Sequence, residues 1–133
     1  MTYRIDESLN PIIVVHFDEP LTVETATRLY REVDELFTRT GRFGLIMRVG
    51  FTEGEAERGV TKMQKTWLSA NRPRFKRDCA GIAMVSDDAK YVSLIAPLAN
   101  KIVSRMYHCP GAIFNDHDKA LAWVRGKMAS DDR

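Results

Sequence analysis

At 133 residues, with 44% hydrophobic and 29% charged residues, the chain fits one compact domain that can bury a core without disulfides or metal staples. No apolar run approaches the roughly 20 residues of a membrane-spanning helix, and the opening MTYRIDESLN lacks the basic-then-apolar pattern of a signal peptide, so a cytoplasmic protein is expected. A net charge of +2 does not by itself imply nucleic acid, although the stretch from Arg58 to Arg77 carries basic residues and no acidic one.

Tyr3 to Asp6 and Ile12 to Phe17 read as two strands joined through the turn dipeptide Asn10-Pro11, an amino-terminal hairpin. Thr22 then caps a helix with Ala26, Leu29, Tyr30, Val33 and Phe37 at helical spacing, Glu24 and Arg28 as an i,i+4 pair and Gly41 as its stop. Phe43 to Val49 is the third strand. A loop rich in Gly and Glu, Gly50 to Gly59, leads to a helix displaying Val60, Met63, Trp67 and Leu68, which Asn71, Arg72 and Pro73 are expected to end.

The second half spells a strand twice, Ala80 to Ser86 and Ala112 to Asn115, each followed by an amphipathic helix, Tyr91 to Met106 and Asp118 to Met128. The first of these is apolar around much of its circumference and is expected to be well buried, with a kink or short break at Pro97. Asp116 caps the last helix, which turns Ala120, Leu121, Trp123 and Val124 to the core. The order ββαβαβαβα is α/β: a mixed, mostly parallel five-stranded sheet with an amino-terminal hairpin.

Motifs for chemistry are scarce. No G-x-S-x-G, G-x-x-x-x-G-K-[ST] or G-x-G-x-x-G occurs, and Gly50, Gly54 and Gly59 are too widely spaced for a phosphate cradle. His108 and His117 flank a strand, which puts them on the order of 15 Å apart, too far to share a metal. Cys79 and Cys109 each precede a strand, away from the carboxyl edge where α/β sites lie, and read as buried thiols that are possible neighbours.

The carboxyl ends of the strands present Asp18 and Glu19, Arg48 with Phe51 and Thr52, Ser86 with Asp87 and Asp88, and Asn115 with Asp116. Most of these are explained as caps or turn residues. Arg48, a cation ending an apolar strand, should seek a carboxylate, and Asp18 or Asp87 is placed to supply it, as a salt bridge or as part of a polar site. Phe51 has no evident core role and is free to pack locally, meet a partner or touch membrane.

The element order, the segment RPRFKRDCAGIAMVSDD and the ending AIFNDHDKALAWV resemble the SpoIIAA-like proteins of the STAS and Sec14 superfamily. The resemblance implies a βα superhelical sheet, no established enzymatic activity, and binding of protein partners, apolar ligands or membranes, often as dimers; with the missing motifs above, the expectation is a single domain over residues 1–133 with no cofactor or metal. Anti-sigma-factor antagonists among these relatives present a phosphorylatable serine, usually after Asp, following the third strand. Here RVGFTEGEAERGVT offers Thr52 and Thr61 and no Asp-Ser pair, and Arg48 replaces an acidic residue common at that strand end, so the resemblance does not by itself carry a phosphoswitch of that kind to this chain, and phosphorylation of Thr52 or Thr61 stays open.

The combined expectation is a non-enzymatic regulatory domain acting through a protein partner, with no nucleic-acid role. Its contact surface would be the loop Gly50 to Gly59 and the following helix, with Arg48, Phe51, Thr52, Thr61, Ser86 and Asp87 as candidate site residues and a homodimer as one form. The alternative is a carrier or peripheral sensor of a lipid or other apolar ligand. In that case Tyr91 to Met106 would wall a cavity and the basic run would face an anionic membrane.

Overall fold

The computed structural model describes residues 3–50 and 59–129, so Phe51, Thr52 and most of the Gly50 to Gly59 loop lie outside the described residues. Strands β1 (Tyr3–Asp6), β2 (Ile12–Phe17), β3 (Phe43–Val49), β4 (Cys79–Ser86) and β5 (Gly111–Phe114) form one sheet in the order β1-β2-β3-β4-β5. β1 is antiparallel to β2 and the remaining pairs are parallel, as the hairpin and the βα alternation require. Helices α1 (Val23–Thr40), α2 (Val60–Asp78), α3 (Ala89–Ile95), α4 (Ala99–Tyr107) and α5 (His117–Ala129) fill the crossovers and the carboxyl end.

The element ends follow local chemistry. Thr22 Oγ1 accepts from the Thr25 amide at 3.1 Å while Thr25 Oγ1 accepts from the Thr22 amide at 2.8 Å, a reciprocal cap in which threonine does the work usually given to Glu or Gln. Gly41 stops α1 at φ 76°, a left-handed conformation that costs glycine little. Asp88 Oδ1 accepts from the Tyr91 amide at 3.1 Å to start α3, and Asp116 Oδ1 accepts from the Asp118 amide at 2.7 Å to start α5.

Two cores flank the sheet. On one face Ile13, Val15, Leu45 and Ile82 meet Leu29, Leu36 and Phe37 of α1, Leu68 and Phe75 of α2, and Val103 of α4. On the other, Val14, Ile46, Ala83 and Val85 meet Ala120 and Val124 of α5, with Leu121 and Trp123 half-buried beside them. Cβ positions alternate along each strand, so β2 feeds both cores from successive residues.

The structure corrects two expectations. The second helix does not end at Asn71–Pro73 but continues to Asp78. Pro73 lacks an amide proton and disturbs the preceding turn, at about 3 kcal/mol in a helix interior. Beyond it, however, Phe75 is 1% exposed and packs edge-on against Phe37, Phe43, Trp67 and Tyr107. Burying one such ring contributes about 1.5–3 kcal/mol before its aromatic contacts are added, so tertiary packing carries the helix through the proline.

The second correction concerns the segment from Tyr91 to Met106. It breaks at Pro97 as expected, into α3, a 3₁₀ turn over Ala96–Leu98 and α4. It is not well buried: Tyr91, Leu94, Leu98, Ile102 and Met106 are all exposed, and only Ala99 and Val103 are buried. A Cβ on Gly111 would collide with Val103, so α4 rests on β5 through small residues and turns its large ones outward.

Candidate functional site

The register of the sheet aligns one row of side chains at the carboxyl ends of the parallel strands. Arg4 of β1 pairs with His16 of β2, His16 with Arg48 of β3, and Arg48 with Val85 of β4. Paired residues share a face, and this is the face that α5 covers further along. Where α5 no longer covers it, a cavity of about 300 Å³ opens, lined by these four residues with Phe17, Asp18, Val49, Gly50 and Asp87. Its position at the strand ends is where open α/β sheets keep their ligands.

Charge in this cavity is divided unevenly. Asp18 pairs with Arg4, whose Nε donates to Oδ2 at 3.2 Å, and that bond holds the Asp18 carboxyl below its usual range. The expected pairing of Arg48 with Asp18 or Asp87 does not form: among the described residues neither carboxylate lies within 4 Å of the Arg48 guanidinium. The reason is geometric, since the antiparallel hairpin brings Arg4 to Asp18 first. His16 is held below its ordinary pKa by burial and then by the charges of Arg48 and Arg4, so its imidazole is neutral at neutral pH. A guanidinium beside a neutral imidazole can hold an anionic group.

Of the sequence-derived candidates, Arg48 and Asp87 meet in this cavity. Ser86 does not line it and has a structural task, its Oγ accepting from the Asp88 amide at 3.2 Å ahead of α3. Thr61 lies in the first turn of α2, exposed and away from the cavity. Phe51 and Thr52 fall outside the described residues. Arg4 and His16 were not anticipated, although period-2 alternation through the hairpin would have placed them side by side.

Elsewhere, Cys79 and Cys109 are buried free thiols, and the Cys79 pKa is pushed well up by burial and then by its neighbour Cys109. They are therefore adjacent. Among the described residues no three His, Cys, Asp or Glu side chains gather to hold a metal ion, and no helix is long and apolar enough to cross a membrane.

The second feature able to bind is the exposed line on α3 and α4. Tyr91, Leu94, Leu98, Ile102 and Met106 recur every three or four residues along the segment and are 37–72% exposed. Exposed lysines and arginines, Lys101 and Arg105, stand beside it. α2 packs against α4, and Arg72 ties the two together by donating from Nε to the Met106 carbonyl at 3.1 Å.

Comparison with known families decides the relationship. The family model described as SpoIIAA-like matches residues 12–125, from the first residue of β2 into α5. The chain belongs to the SpoIIAA-like family. The mixed sheet with its antiparallel β1 is a SpoIIAA-like fold extended by an amino-terminal hairpin strand that the match leaves out. No curated protein and no solved structure matches the chain.

Proposed function

We propose that this SpoIIAA-like domain is a non-enzymatic binding and regulatory module that acts through a protein partner docked on the apolar line of α3 and α4. The observation that supports this is the outward turn of five large apolar side chains on a segment whose buried residues are Ala99 and Val103. Isolated exposed leucines are ordinary; a contiguous line of them marks a contact. The test is capture by immobilised chain, wild type against Leu94→Asp/Ile102→Asp. We expect a partner identified by mass spectrometry to fall about 10-fold in recovery, with the circular dichroism unchanged. Equal recovery from both would overturn the proposal.

A second reading is contact with an anionic membrane surface, favoured by the exposed Lys62, Lys65, Lys76 and Arg77 on α2, the helix packed against α4. A carrier with this segment as an inner cavity wall is less well supported, because the apolar side chains face outward. Sedimentation with phosphatidylserine vesicles, abolished by 0.5 M salt and by Leu94→Asp, is the expected result for this reading.

A further inference from the structure

We infer that the cavity at the carboxyl ends of the strands binds a small zwitterion of the α-amino-acid class, with its carboxylate on Arg48 and its ammonium on Asp87. The cavity shares no residue with the apolar line of α3 and α4, so the inference goes beyond the proposed partner contact and stands or falls apart from it.

The first argument is the balance of charge. Four charged side chains line the cavity, Arg4, Asp18, Arg48 and Asp87. Arg4 and Asp18 neutralise each other through their ion pair at 3.2 Å. Arg48 and Asp87 are left over, and neither makes an ion pair or a side-chain hydrogen bond to another described residue. One cation and one anion, both without a partner among the described residues, thus border the same space. A plain anion would meet Arg48 and be opposed by Asp87, and a plain cation would meet the reverse. A molecule that carries both charges satisfies both groups, and a guanidinium presents the fork that a carboxylate fits.

The second argument is placement. Arg48 is in register with Val85, and Asp87 stands two residues further on. Two residues along a strand and one strand across separate the two backbone positions by roughly 8 Å. That spacing leaves room between the side chains for a group that bears its two charges on one carbon. Arg48 is half-buried and Asp87 exposed, so the carboxylate enters first and the ammonium stays at the rim.

The third argument is the remaining wall. His16, in register between Arg4 and Arg48, is neutral at neutral pH and adds a hydrogen-bonding nitrogen without altering the balance. Phe17, Val49 and Val85 offer apolar surface to the ligand's side chain. The volume of about 300 Å³ stands at the lower end for small-molecule sites, which run from about 300 to 1,000 Å³. It suits a free amino acid better than a peptide.

The experiment is isothermal titration calorimetry of the full chain with each common L-α-amino acid, up to about 10 mM. We expect an amino acid with an apolar side chain to bind with a Kd between about 10 µM and 1 mM. The same molecule without its ammonium, a plain carboxylic acid, and without its carboxylate, a plain amine, should each bind at least about 10-fold more weakly. Arg48→Met and Asp87→Asn should each weaken the amino acid by about 10-fold or more, with the circular dichroism unchanged. In Asp87→Asn the amino acid and its plain acid should bind alike, because only the ammonium has lost its partner. The inference is overturned if no amino acid binds at about 10 mM, or if Asp87→Asn binds as the wild type does. A plain acid or inorganic phosphate that binds wild type as tightly as the amino acid overturns it too, and marks a simple anion site. So does an Asp87→Asn variant that loses the plain acid and the amino acid equally, since Asp87 would then only shape the cavity. Leu94→Asp/Ile102→Asp, which tests the partner contact, should leave the amino-acid affinity unchanged, so the two readings fail separately.

Discussion

On α1, Leu29 and Leu36 keep 4% and 2% of their surface exposed; on α3 and the turn that follows, Leu94 and Leu98 keep 72% and 51%. The two segments carry the same apolar periodicity. α1 lies across β2 and β3 with α2 beside it, so its leucines meet Ile13, Leu45 and the aromatic group around Phe43 and Phe75. The α3–α4 segment sits at the β5 edge and buries only Ala99 and Val103 of α4 fully, with Gly111 opposite Val103. Helical periodicity therefore reports a face that needs a cover, and says nothing of which molecule provides it. Small residues turned inward and large ones outward are the signature of a cover that comes from elsewhere.

The comparison breaks most visibly at Phe75. Phe75→Ala removes the ring that holds α2 past Pro73 and joins α1, α2 and Tyr107. We expect a loss of about 3–5 kcal/mol in urea unfolding, together with a loss of far-ultraviolet ellipticity as the last turns of α2 fray. A loss below about 1 kcal/mol would mean that the covered face is less dependent on its aromatic centre than its burial indicates.

Much of this architecture was legible from local signals. Thr22, Gly41 and Asp116 each mark a helix end by chemistry within a few residues, the pair Asp87 and Asp88 marks the start of α3 without saying which of them caps it, and the hairpin strands and β3 were bounded as observed. What failed was non-local. The end of α2 was missed because the cost of Pro73 is local while the gain from Phe75 depends on Phe37 and Phe43, far away in sequence. Half of the cavity was legible, since Arg48 and Asp87 both end strands and the rule for α/β sheets points there. Arg4 was missed because its place beside His16 and Asp18 is created by antiparallel register. The exposure of Leu94 and Leu98 was missed because the pattern of a buried helix and of an externally covered one is the same.

A smaller effect sharpens the covered side. The Tyr3 hydroxyl donates to Glu32 Oε1 at 2.7 Å and ties β1 to α1. Burial and then Glu32 push its pKa up to about 12, above the value of about 10 for an unfolded tyrosine. The folded state thus holds this proton more tightly, so the contribution is fully present below pH 10 and is lost as pH rises from about 10 through about 12. Tyr3→Phe should cost about 1 kcal/mol at neutral pH and reduce the alkaline loss over that window. Tyr107, also pushed up to about 12 by burial, and Tyr30, raised by burial, keep the remainder. The difference between the two pH profiles, measured by thermal unfolding in steps from pH 8 to 12, isolates Tyr3; identical profiles would show that the hydroxyl contributes nothing to the β1–α1 contact.

The smallest effect on stability falls at Leu94, the most exposed large apolar residue among the described residues. Leu94→Ser deletes a side chain that the monomer leaves in water, so at low protein concentration its unfolding free energy should stay within about 0.5 kcal/mol of wild type. The same substitution should act strongly wherever the cover is present. If the cover is a second copy, the wild-type melting temperature rises with protein concentration, by mass action on the folded dimer, and the variant's does not. A residue whose removal costs almost nothing in the isolated domain and abolishes the concentration dependence is one whose apolar surface is kept for the contact and not for the fold. An equal destabilisation at every concentration would instead place Leu94 in the monomer's own core, and the distinction between the covered and uncovered helices would collapse.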